Sequence, residues 1–278
     1  MKKGIIITIL ILSCAVFMGL KLYIDQIPRE KIPGSSIIYI PSGKYLKYAT
    51  FGFSELAADL IFLWAIQFYS DYNIPDRFEY LDHIFSITAD LDPRYVDPYQ
   101  IGAIIAIFEA KDLNAAFKIL DRGFEKNPDQ WLFPFLAGHY AQMLGKDFEL
   151  ARVYYKKAME IEGAPEFTER LYANAAYKLS DYQTAWEDWL EIYNSAENER
   201  TKKIASNHLY NIKATVDKEA LEKAINQYQE RFGRNPEKLE DLIGTGFIKE
   251  VPKDLDDQDY VYDPEKGEVT TPVIPWKR

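Results

Sequence analysis

The chain has 278 residues, 47% hydrophobic and 27% charged, with a formal net charge of −10. That is ample apolar mass for a folded core and too hydrophobic for general disorder. An acidic chain without a basic cluster lacks the Lys/Arg patch that a phosphate backbone requires, which argues against nucleic acid as a partner.

The only cysteine, Cys14, lies in the N-terminal leader. The folded part therefore has no disulfide, thiolate nucleophile or cysteine metal ligand. In that leader, Met1-Lys2-Lys3 precedes a run from Gly4 to Leu20 that is apolar except for Thr8, Ser13 and Cys14, and Leu22-Tyr23-Ile24 extends it. A run of this length can cross a bilayer core as a helix. Positive charge ahead of it keeps the N-terminus in the cytoplasm, and Lys21 and Tyr23 suit the interface. Residues 1–24 thus read first as an uncleaved signal anchor. Ile11-Leu12-Ser13-Cys14 also resembles a lipobox, with Cys14 the lipidation site, and ordinary signal cleavage is a third reading. All three place the body outside the cytoplasm, with the anchor in the inner membrane in the first reading.

Residues 25–53 read as a tether and extended segment. Pro28 and Pro33 mark the tether, Ser36-Ile37-Ile38-Tyr39-Ile40 is rich in β-branched residues, and residues 44–48 resume an extended run after the Pro41-Ser42-Gly43 turn. A helix apolar nearly all round then follows from Ser54 to Tyr69, with Trp64 as its candidate interhelical residue. Such a helix must be covered on most sides. Its partner spans residues 77–89, with Phe78, Leu81, Ile84, Phe85 and Ile87 on one face.

One pattern then occurs three times. Lys111-Asp112-Leu113 leads to Ala116, Leu120 and Gly123. Lys146-Asp147-Phe148 leads to Ala151, Tyr155 and Ala158. Ser180-Asp181-Tyr182 leads to Ala185, Trp189 and Ile192. The alanines are spaced by about 35 and then about 34 residues, the period of a helix-turn-helix repeat. Each Asp can open a helix by accepting orphan N–H groups, each Ala permits close helix approach, and the large residue four positions on fills the space between repeats. The second copy carries one extra residue, placed near Gly138.

These positions resemble the tetratricopeptide repeat family. The resemblance implies an α-solenoid over residues 54–213, mainly α, with about four helical pairs, the first having an enlarged turn. It also implies that the first helix of each pair, over residues 98–110, 132–144 and 167–179, lines a groove for a peptide or protein. The groove positions so implied are Ile101, Ile105 and Phe108, then Leu136, Tyr140 and Met143, then Arg170, Asn174 and Tyr177.

Residues 197–213 read as a capping helix with a polar outer face, and residues 217–231 as a new helix ended by Gly233. It opens a small α/β module over residues 217–278, with a short helix from Asn235 and a hairpin around Pro264-Glu265-Lys266-Gly267. The order Asn-Pro, Leu-Glu-Asp-Leu, Gly-Phe-Ile, Val-Pro-Lys-Asp and Tyr-Asp-Pro-Glu-Lys-Gly-Glu-Val is similar to the end segment of the major pseudopilins of type II secretion. The pilin leader and long pilin helix are absent, so that function is not carried across.

Few residues point to chemistry. His83, His139 and His208 are far apart in sequence, with no carboxylate pair at metal-ligand spacing beside them, and read as packing or surface histidines. Gly244-x-Gly246 lacks the rest of a phosphate loop. Asp254, Asp256, Asp257 and Asp259 form the one candidate calcium loop, without the turn glycine and distal Glu of an EF-hand. No catalytic constellation and no cofactor are expected. The reading is a non-enzymatic, membrane-anchored scaffold that holds an envelope protein, with a ligand-binding accessory subunit of a transport or secretion system as the alternative.

Overall fold

Residues 2–26, 40–74 and 77–274 are described in a computed structural model, and they are mainly helical with one two-stranded sheet. The chain divides into two units, Met1–Asp92 and Pro93–Arg278. The extended segment expected at residues 36–40 and the tether before it fall mostly on residues 27–39, outside the described residues.

In the first unit, α1 (Lys2–Asp25) contains the stretch Ile6–Ile24, with mean hydropathy 2.2 and none of its residues buried. By length and composition it is long and apolar enough to serve as a membrane span or a signal sequence. The extended run expected over residues 44–48 is instead a short helix, α2 (Gly43–Ala49). Tertiary packing accounts for the difference. Here α2 lies on α4 (Leu81–Leu91), and Gly43 sits so close to it that a Cβ would be 2.5 Å from Asp90 Cβ and 2.6 Å from the Ile87 carbonyl oxygen. His83 Nε2 donates to the Ile40 carbonyl at 3.0 Å, which ties the approach to α2 onto the same helix.

The third helix, α3 (Ser54–Ser70), turns Ala58, Phe62, Ala65 and Phe68 inward and packs on α4. Tyr69 stacks on Phe78 and Phe85 at ring-centroid distances of 6.0 and 5.9 Å. Trp64, the expected large interhelical residue, is only half-buried, and Phe62 and Tyr69 hold that position instead. Each such aromatic contributes about 1.5–3 kcal/mol by burial.

The second unit begins with α5 (Val96–Phe108), α6 (Leu113–Lys126), α7 (Leu132–Tyr140), α8 (Phe148–Met159), α9 (Phe167–Lys178) and α10 (Tyr182–Ser195). Each packs on the next in sequence. The three sequence copies build the same turn. Lys111, Lys146 and Ser180 adopt left-handed backbone at φ 58°, 54° and 60°. The N–H of the following Asp donates back to Ala106, Ala141 or Ala176. The Asp112, Asp147 and Asp181 carboxylates accept from the N–H groups of Ala115, Leu150 and Thr184, capping α6, α8 and α10. Ala116, Ala151 and Ala185 are fully buried, as are Leu120, Tyr155 and Trp189. Asn127 closes α6 by donating from Nδ2 to Pro93 O (2.8 Å) and Gly123 O (3.1 Å).

The extra residue of the second copy is taken up by a π-helical turn over Ala141–Gly145, a few positions after Gly138. A π turn holds one residue more than an α turn, so α8 still presents Ala151 and Tyr155 to the core. Gly138 itself serves contact: a Cβ there would be 2.8 Å from the Tyr155 ring and 3.1 Å from the Ala151 carbonyl.

Residues 197–213 and 217–231, expected as two helices, are one helix, α11 (Glu199–Phe232), capped by the Asn198 side chain at Thr201 and ended at Gly233 with φ 70°. The stretch 214–216 holds no Gly or Pro, and the Lys213–Asp217 ion pair (2.8 Å) spans it. The expected boundary between residues 213 and 217 also cuts a shared core. Tyr210, Leu221, Ile225 and Tyr228 of α11 pack with Leu242 and Val269 from the C-terminal segment. There the short helix expected from Asn235 is the four-residue α12 (Asp241–Gly244). The hairpin pairs β1 (Val261–Asp263) with β2 (Glu268–Thr270), in the register Tyr262 opposite Val269.

Candidate partner-binding face

Of the groove positions implied by the resemblance, Phe108 on α5 is 50% exposed, while Ile101 and Ile105 are half-buried. Ile104, four residues before Phe108 and on the same stripe, is exposed as well and was missed. On α7 the expected positions divide. Tyr140 is only 9% exposed, which withdraws it from any accessible surface, and burial pushes its phenol pKa up. Leu136 is half-buried, and Met143 is exposed but lies in the π turn.

Beside Leu136, an aromatic row of Trp131, Phe135 and His139, spaced one turn apart, is half-buried to the same degree. Trp131 and Phe135 meet edge to face at 5.8 Å, Phe135 meets Phe167 of α9 at 5.2 Å, and His139 stacks beyond Phe135 at 6.0 Å. A period-four aromatic run starting at Trp131 was the available signal.

On α9, Arg170, Asn174 and Tyr177 are all half-buried. Tyr177 is engaged within the chain: its hydroxyl is 3.1 Å from Thr215 Oγ1 on α11, and its ring is 5.8 Å from Tyr182. His208 of α11 stacks on Trp189 at 3.7 Å. Burial first, then the positive charge of Arg170, holds its imidazole down to about 4. Arg170 thus acts on α11 too.

Several clefts open on the second unit, and two of them gather charged side chains with aromatic ones. One, of about 620 Å³, is lined by Asp181, Tyr182, Trp186, Ile212, Lys213 and Asp217. Its Asp217 carboxylate accepts from Lys213 Nζ (2.8 Å) and the Tyr260 hydroxyl (2.7 Å), and burial followed by that bond raises the Tyr260 pKa. A smaller acidic cleft of about 200 Å³ gathers Glu169, Asp188 and Glu191 beside Tyr172. Burial raises the pKa of Glu169, with Glu191 and Glu166 adding to it. It also raises that of Asp188, which Arg152 at 3.4 Å partly opposes.

In the acidic loop Asp254 is buried, and its carboxylate is committed inward. It accepts from Tyr210 Oη (2.7 Å) and from the N–H groups of Asp256 and Gln258. Asp256, Asp257 and Asp259 are exposed. Among the described residues no three His, Cys, Asp or Glu side chains are grouped to hold a metal ion. Cys14 is exposed on α1. No protein-family model and no curated protein matches this chain.

Proposed function

We propose that this chain is a membrane-anchored, extracytoplasmic scaffold of the tetratricopeptide type, which holds a protein partner of the cell envelope and catalyses no reaction. The observation that carries the reading is the turn built three times at the repeat period, left-handed residue then capping Asp, with a buried Ala and a large residue following each. Consecutive packing of α5 to α11 fits a stack in which each repeat contacts its neighbours, an α-solenoid. The aromatic stripe of α7, with Ile104 and Phe108 of α5, is the surface offered to the partner, since Trp and aromatic side chains dominate binding contacts. In this reading α1 is retained in the inner membrane and raises the local concentration of membrane partners.

A photo-crosslinking side chain at His139 or Phe108, compared with one at Val153 on α8, tests this in intact cells. A discrete protein adduct from the first two and none from Val153 is the expected result. The same adducts from all three positions would remove the assignment. The 620 Å³ cleft favours a second reading, a ligand-binding accessory subunit of a transport or secretion system; a rise in Tm with a small molecule or with calcium would support it.

A further inference from the structure

Among the described residues, nothing covers the outer face of α3. Leu56, Leu60 and Leu63 recur at helical spacing with Phe53 one turn ahead, all exposed, while the opposite face packs on α4. The turn before it extends the patch: Phe51 is 89% exposed and held in left-handed backbone at φ 52°. On α2, Tyr45 and Tyr48 are exposed and alternate with Lys44 and Lys47. A contiguous apolar row of this kind seldom stays uncovered in water.

We infer that this face rests on the bilayer surface, as a shallow interfacial contact of the first unit. Three observations select lipid as the occupant. First, the residue types are those of the membrane–water boundary: tyrosines with an apolar ring and polar tip, Phe and Leu to enter the acyl edge, and lysines whose stems lie along apolar surface while the ammonium stays wet. Second, the reach is short. From Gln26, at the end of α1, to Gly43 the chain can extend no more than about 60 Å, so an anchored α1 keeps the bilayer surface permanently within range of this face. Third, the row ends in Gln67 and Ser70, both exposed. With its other face on α4, α3 has too little apolar surface to span and enough to lie flat. The proposal rests on α1 being retained as an anchor.

The full chain, reconstituted in phosphatidylcholine–phosphatidylglycerol vesicles, tests both statements separately. An NBD label is placed on native Cys14, or, in a Cys14→Ser background, on Leu60→Cys, Phe51→Cys or Val153→Cys. Lipids carry a doxyl quencher either near the headgroup or deep in the acyl chain. The expected pattern is deep quenching at Cys14, loss of fluorescence at positions 60 and 51 mainly with the shallow quencher, and none at 153. Quenching at Cys14 without any at 60 and 51 overturns the surface contact and leaves the anchor standing. A blue shift at 60 without quenching means protein covers the face, a second copy or another segment of this chain, and overturns it too. Deep quenching at 60 overturns it by making α3 an inserted helix. No quenching at Cys14 removes the anchor, and the proposal with it.

Discussion

Lys146 stands in left-handed backbone immediately before the capping Asp147, and the pair separates two small effects. Relieving a side chain from that conformation is worth roughly 1 kcal/mol, so Lys146→Gly raises Tm. Losing a capping carboxylate costs about 1 kcal/mol, so Asp147→Ala lowers it. Thermal melts of the two variants against the parent check both signs, and Lys111 with Asp112 provides an independent copy. Gly138→Ala puts a methyl 2.8 Å from the Tyr155 ring and should cost about 1–3 kcal/mol.

The stacked His208 predicts a pH dependence. Its folded pKa, about 4, lies below the unfolded value of 6.5, so the unfolded chain takes up the proton first. Stability is fully present above the unfolded value and falls as pH drops toward 4, by on the order of 3 kcal/mol. Glu169 and Asp188, whose pKa values are raised, act in the opposite sense as pH falls through their folded values. Denaturant midpoints of the parent and of His208→Gln, measured across that window, isolate the histidine: the variant loses its part of the slope.

At the scale of elements, the π turn over Ala141–Gly145 makes its own prediction. Deleting the exposed Leu144 lets α7 run into the turn as plain α-helix, with a stability change within about 1 kcal/mol. Deleting Val153, equally exposed, rotates Tyr155 and Ala158 out of the core and should unfold that pair. Circular dichroism and chemical denaturation of the two deletions distinguish a turn that absorbs a residue from a helix that cannot. The repeat turns were legible because their chemistry is local, an Asp three residues before the N–H it accepts. The burial of Tyr140 was not, because residue spacing alone does not say where along a helix an extra residue is accommodated.

For the whole molecule, α11 and the C-terminal segment share one core. A chain stopped after Phe232 would bare Leu221, Ile225 and Tyr228. Amide exchange should then speed up over the second half of α11 while α5 to α8 stay protected. Equal protection in both halves would mean that the helix stands without its cover.

The apolar N-terminal run, the helical character of the body, the three turns with their buried Ala, and the C-terminal hairpin all follow from the amino-acid sequence alone. Each depends on contacts within a few residues or on composition over one span. Three further features required the packed chain. Residues 44–48 are helical because Gly43 lets them sit against α4, a partner some forty residues away. The helix across residues 214–216 is continuous because α10 and the C-terminal core cover its two halves. Tyr140 is buried while Trp131, Phe135 and His139 line the stripe, because the π turn sets the rotation of α7. In each case local preference was nearly neutral, and burial against a distant element supplied the free energy that selected the outcome.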